Sequence, residues 1–149
     1  MAKMPQSLME LINTVPLCYL ATASRDGVPD VAPLVTAVAV DPSTIAMAVT
    51  SQGKSAINVR ENPKAALVVH SEPPARTGAS LGSISQVLGA QIKGTAAILA
   101  SGEVHDLVRR KTSEALGANA VNAFDATVVL KVEEVFSLVP GSRRGTPTP

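Results

Sequence analysis

Residues 51–55, SQGKS, put two hydroxyls and an ammonium group into five positions, where an apolar run (TIAMAVT, 44–50) gives way to a helical pattern. The first N–H groups of a helix have no partner within it, and the helix dipole adds partial positive charge there. A short polar turn ending in Lys54 and Ser55 sets a full charge and a hydroxyl beside those donors. That combination predicts an anion site, with phosphate the fitting occupant. The same residues also read as an ordinary capped helix with a solvated lysine, and local composition alone does not separate the two. Neither a Walker A loop nor a G-x-G-x-x-G fingerprint is present.

Other residues that could do chemistry are few. His70 ends a predicted strand and reads as a surface or capped histidine, and His105 lies among charges on a predicted helix and reads as solvated. Two distant histidines and the single cysteine make no metal set. No nucleophile-elbow motif frames a serine, so hydrolase chemistry has no support. Cys18 lies in an apolar run and reads as a buried structural thiol, compatible with a reducing compartment.

The elements that must position these residues follow from periodicity and punctuation. A helix is predicted over 5–14, with Leu8, Met9, Leu11 and Ile12 on its apolar face and Pro16 beyond its end. A nearly fully buried strand follows at 17–23, then a turn at Arg25-Asp26-Gly27. A second strand is expected over about 30–40, with Pro33 forcing an edge, a bulge or a bend. A third strand runs over 44–50, a helix over 54–61 stopped by Asn62-Pro63, and a fourth strand over 65–70. Residues 72–84 read as a mobile loop, and 86–100 as a long strand bent at Gly89 and Gly94. An amphipathic helix at 102–116, with Val104, Leu107, Val108, Ala115 and Leu116 on one face, precedes a last strand at 126–138. Six strands on short connections predict a closed or nearly closed antiparallel barrel. Residues 1–140 are expected to form one domain, and 141–149 a disordered tail.

Composition narrows the function classes. The chain has 149 residues, 46% hydrophobic and 17% charged, and so little charge points to surface hidden in an oligomer. A net charge of +1 and 2% aromatic residues argue against nucleic-acid binding, since the basic clusters at 109–111 and 143–144 have no aromatic neighbours. No stretch approaches the roughly 20 apolar residues of a membrane span. The first fifteen residues lack the apolar core of a signal peptide, so a soluble cytoplasmic protein is expected.

Three segments in this order, LATASRDGVP at 20–29, GKSAINVRENP at 53–63 and IKGTA at 92–96, resemble the FMN-binding split barrels of the pyridoxamine 5'-phosphate oxidase-like superfamily. Within it, the chain is most similar in pattern to the small FMN-binding proteins of sulfate-reducing bacteria. The likeness runs from about Leu17 to Phe136. It implies a mainly β fold, a six-stranded antiparallel split β-barrel of Greek-key type with a few short flanking helices. It also implies FMN as cofactor, its phosphate held by Lys54 and Ser55, with Thr50 and Ser51 near the ribityl chain and phosphate. Pro33, Leu34, Val35 and Thr36 would then meet the isoalloxazine ring. A homodimer with flavin near the interface is implied as well, and a role as a small oxidoreductase or electron carrier with unknown donor and acceptor. A deazaflavin-dependent reductase on the same barrel, or a module that binds or stores flavin without turnover, are the alternatives. The chain departs from the oxidase itself: no histidine follows His105 to bind that enzyme's substrate, and no tryptophan shields the ring, so Leu34 or similar residues would cover it.

Overall fold

The computed structural model describes residues 2–71 and 89–138. The loop expected at 72–84 and the tail at 141–149 lie outside the described residues, and the long strand expected from 86 is described from Gly89. The elements run α1 (Gln6–Thr14), β1 (Cys18–Ala23), β2 (Pro29–Leu34), β3 (Ala37–Asp41), β4 (Thr44–Val49), α2 (Lys54–Glu61), β5 (Lys64–His70), β6 (Gly89–Leu99), α3 (Glu103–Leu116), α4 (Ala120–Ala123) and β7 (Ala126–Ser137). The strands form one antiparallel sheet in the order β2-β1-β5-β6-β7-β4-β3. Among the described residues no helix is long and apolar enough to cross a membrane.

The chain order of that sheet dictates its shape. β2 and β3 lie at opposite ends of the strand order, yet only Val35 and Thr36 separate them. Three Cα steps reach at most about 10 Å, so the sheet must curl until its two edges nearly meet. The result is a split barrel. The single strand expected over 30–40 is therefore two strands, giving seven rather than six. Its first half pairs with β1 and its second half with β4, and the break lies between. Pro33 sits on β2, an edge strand, where its missing N–H removes no ladder bond that another strand needs.

The barrel interior is filled by alternate residues of each strand. On β4 and β7 the pairs Ile45–Leu130, Met47–Val128 and Val49–Ala126 face the core, while Ala46–Val129 and Ala48–Thr127 face outward. All six residues of β4 are buried because helix α3 covers its outer face, where small alanines let the helix approach. Helix α1 adds Leu8 and Ile12 to the core, Met4 joins them from the segment before it, and the Asn13 side-chain oxygen accepts the Ala39 N–H at 2.9 Å.

Helix α3 differs from its expected face. The residues it buries are His105, Val108 and Thr112, whereas Leu116 is 44% exposed. His105, expected in solvent, is buried, its Nδ1 hydrogen-bonded to the Thr127 hydroxyl at 2.8 Å. Spacing of three and four residues places His105 on the same stripe as Val108 and Thr112, and Thr127 supplies the partner that makes its burial tolerable.

The pairing of β6 with β7 shifts at Lys93/Gly94, the bulge expected at Gly94. A Cβ there would drive into the carbonyl of Lys131, a backbone atom that cannot step aside. Gly94→Ala is predicted to lower stability by at least about 2 kcal/mol, as overpacking against backbone does. Urea unfolding measures this directly, and a loss under about 0.5 kcal/mol would contradict the close approach.

Candidate functional site

The strand-to-helix turn lies where the expectation put it, and α2 begins at Lys54. Its N-cap is Gly53, in extended backbone and with no side chain to cap the first amides. Gly53 N–H turns back to the Thr50 carbonyl at 2.9 Å, and a Cβ at Gly53 would stand 3.1 Å from that same oxygen, so the turn favours glycine. The uncapped end therefore points its donors outward. Neither the Lys54 ammonium nor the Ser55 hydroxyl has a hydrogen-bond or ion-pair partner among the described residues.

Helix α2 is pinned to β1 along its length, which fixes where that end points. Asn58 is fully buried and donates through Nδ2 to the Thr22 hydroxyl at 3.0 Å, and Asn62 donates to the Ser24 carbonyl at 3.4 Å. The Asn58 side-chain oxygen has no partner among the described residues. Ala56 and Val59 join the barrel core from the same helix.

A cleft of about 340 Å³ opens at the α2 N-terminus, lined by Asp30 to Leu34, Val49, Thr50, Gly53, Lys54, Ser55 and Phe124. The polar turn contributes Thr50, Lys54 and Ser55 to the lining, Asp30 adds a carboxylate, and Pro33, Leu34, Val49 and Phe124 add apolar surface. That size and mixed lining suit a small ligand with one charged end. Two wider clefts lie elsewhere, one between β1, β5, β6 and β7 with the Lys64–Glu133 ion pair at its rim, the other apolar, under the start of α3.

Of the eight residues singled out from sequence, Pro33, Leu34, Thr50, Lys54 and Ser55 line this cleft together. Ser51, Val35 and Thr36 do not. Thr36 is buried toward α3, where its hydroxyl and that of Thr112 are hydrogen-bonded at 3.3 Å. Val35 is 40% exposed at the strand break. Ser51 points away from the cleft: its N–H and its hydroxyl both donate to the Asp125 carboxylate, at 2.8 and 2.7 Å. Thr50, although it lines the cleft, spends its hydroxyl on the Ala123 carbonyl at 2.9 Å.

Sequence reading missed Phe124 and Asp125. No motif frames either one; they come to the site only because β7 pairs with β4, placing Ala126 opposite Val49. The two histidines stay out. His70 stacks on Tyr19 at 6.2 Å, its Nδ1 beside the Ser71 carbonyl, and His105 faces inward from α3 onto Thr127. Burial pushes the Cys18 thiol up to about 11, which disfavours its thiolate. Among the described residues no group of His, Cys, Asp and Glu could hold a metal ion.

With this geometry in hand, comparison with known proteins gives a family. The pyridoxamine 5'-phosphate oxidase family model matches residues 4–139, and the chain belongs to that family. No curated protein matches it significantly. Its fold is shared with an FMN-binding protein from Syntrophomonas wolfei at 16% identity and a TM-score of 0.68, over 89% of this chain and 87% of that one. The heme storage protein HutZ of Vibrio cholerae aligns at 15% identity and 0.66, over 91% and 94%. An F420 reductase aligns at 18% identity and 0.63, over 88% and 97%. At these identities the likeness is one of fold.

The Ser51 N–H, then its hydroxyl, hold the Asp125 carboxyl below its ordinary value, with a smaller contribution from the Arg109 guanidinium. A depressed carboxyl contributes stability above its unfolded value of about 3.9, and that contribution is lost as pH falls through the lower folded value. A carbon-13 NMR titration is therefore predicted to place the Asp125 midpoint below about 3.9 and to return it toward that value in Ser51→Ala. A midpoint at or above it in the unsubstituted protein would mean the contact does not persist in solution.

Proposed function

We propose that this member of the pyridoxamine 5'-phosphate oxidase family is an FMN-binding flavoprotein, a small oxidoreductase or electron carrier, with the flavin in the cleft at the start of α2. The observation that carries the reading is the make-up of that cleft. Its lining combines an uncapped helix end, where Lys54 and Ser55 have no side-chain partner among the described residues, with apolar side chains from Pro33, Leu34 and Phe124 and one carboxylate, Asp30. A phosphate suits the helix end, where amide dipoles, an ammonium and a hydroxyl converge. A planar ring suits the apolar side chains, where Leu34 and Phe124 would cover it in the absence of tryptophan. When bound, flavin supplies the hydride or electron chemistry. This chain's residues orient it, keep water from one face and hold its charged end.

The same donors would hold a deazaflavin coenzyme, so that reading remains the alternative on this site. A haem is less suited, because none of the described residues lining the cleft is a His, Cys, Met or Tyr that could ligate iron. We propose further that the protein works as a homodimer with the flavin near the interface. The apolar residues Val28, Val31 and Val35, exposed at 59%, 64% and 40%, lie on and beside edge strand β2, with Val31 at the cleft, and a second copy would cover them. Steady reduction of the bound flavin by NADH or NADPH, coupled to an acceptor, distinguishes an enzyme from a storage module.

The decisive variant is Lys54→Ala. It is predicted to weaken FMN binding by about tenfold or more, the usual effect of losing a charge-assisted hydrogen bond. Riboflavin, which lacks the phosphate, should bind the variant as it binds the unsubstituted protein. Fluorescence titration reads both, and unchanged FMN affinity would remove Lys54 from the phosphate site.

A further inference from the structure

The contact between Ser51 and Asp125 lies against the cleft but forms no part of its lining. We propose that Asp125 is a positioning residue for the phosphate-binding turn: it holds Ser51 so that the first amides of α2 stay open to the ligand. The proposal rests on the flavin reading above and deepens it.

A serine or threonine hydroxyl in a turn can bond backbone N–H groups two or three residues on, which for Ser51 would include Lys54, the first residue of α2. The hydroxyls of Thr50 and Ser51, upstream of the Gly53 N-cap, are both engaged elsewhere. Thr50 Oγ1 donates to the Ala123 carbonyl at 2.9 Å, and Ser51 Oγ donates to Asp125 Oδ2 at 2.7 Å. The Ser51 N–H occupies Asp125 Oδ1 at 2.8 Å, and Arg60, from α2 itself, donates to the Ser51 carbonyl at 2.7 Å. Every polar group of Ser51 is thus engaged away from the helix end. Gly53 cannot cap it either.

The segment that does the holding is itself anchored. Arg109 on α3 donates to the Val121 carbonyl at 3.4 Å, the Phe124 N–H closes on the Ala120 carbonyl at 3.0 Å, and Phe124 packs beside Ala48 and Val108. A chain of contacts therefore runs from α3 through α4 and Asp125 to the turn. Asp125 also carries a negative charge close to where a phosphate would sit. As a bare charge it would repel that phosphate, and its removal would tighten binding. As a positioning residue it does the opposite, so the sign of the effect separates the two roles. Salt screens an exposed charge beyond roughly 8 Å, but it does not replace a bidentate hydrogen bond.

The test measures FMN and riboflavin dissociation constants for the unsubstituted full chain, Asp125→Asn, Ser51→Ala and the double variant. We expect the unsubstituted protein to prefer FMN over riboflavin by about tenfold or more. Each single variant should lose about fivefold to twentyfold in FMN affinity with riboflavin within about twofold, and the double variant should lose little more than either. Unchanged or tighter FMN binding by Asp125→Asn, in a protein that does prefer FMN, would overturn the positioning role and leave the flavin reading intact. Equal losses for both ligands would also overturn it, marking a general disturbance of the fold. No preference for FMN in the unsubstituted protein would instead refute the phosphate site itself.

Discussion

The two-residue connection between β2 and β3 is the constraint on which the rest of this structure depends. It joins the two edges of a seven-stranded sheet, and so forces the sheet to curl into a split barrel. Curling brings the end of β2, with Pro33 and Leu34, against the turn after β4, with Thr50 to Ser55. The cleft exists because of that closure. Were β2 and β3 joined by a long loop, the apolar side chains and the helix end would have no reason to come together.

The barrel holds the turn from one side, and the outer layer contacts it from the other. Helix α3 covers β4 through Ala46, Ala48 and Val108, and His105 and Thr112 reach Thr127 and Thr36 across the same contact. These polar pairs are matched, which keeps the burial of a histidine tolerable and fixes the helix in one register. From α3 the chain returns through α4 to Asp125, which grips Ser51. Barrel and outer layer thus act on one short turn from two sides.

Much of this was legible in the sequence where punctuation is strong. The bounds of α2 follow from Gly53 and Asn62-Pro63, and the β6 bulge from Gly94, because glycine and proline act on local backbone geometry. The family likeness gathered Lys54, Ser55, Thr50, Pro33 and Leu34, five residues that do share a cleft. What was not legible depends on the partners of a residue. His105 reads as solvated because its helix neighbours are charged, and only the pairing of β7 with β4 reveals Thr127 beneath it. The break at Val35–Thr36 escapes notice because PLVTAVAV keeps an apolar pattern through it. Phe124 and Asp125 reach the site by tertiary pairing alone, and Ser51, although rightly placed at the turn, faces Asp125 instead of the cleft.

The central claim is that the cleft at the start of α2 holds a flavin phosphate, and the most direct measurement is the visible absorption spectrum of the purified protein. It is followed by mass analysis of what denaturation releases. The account predicts a yellow protein that releases FMN. A protein that is colourless, and takes up neither FMN nor a deazaflavin when these are added, would contradict it and leave an open helix end in a split barrel.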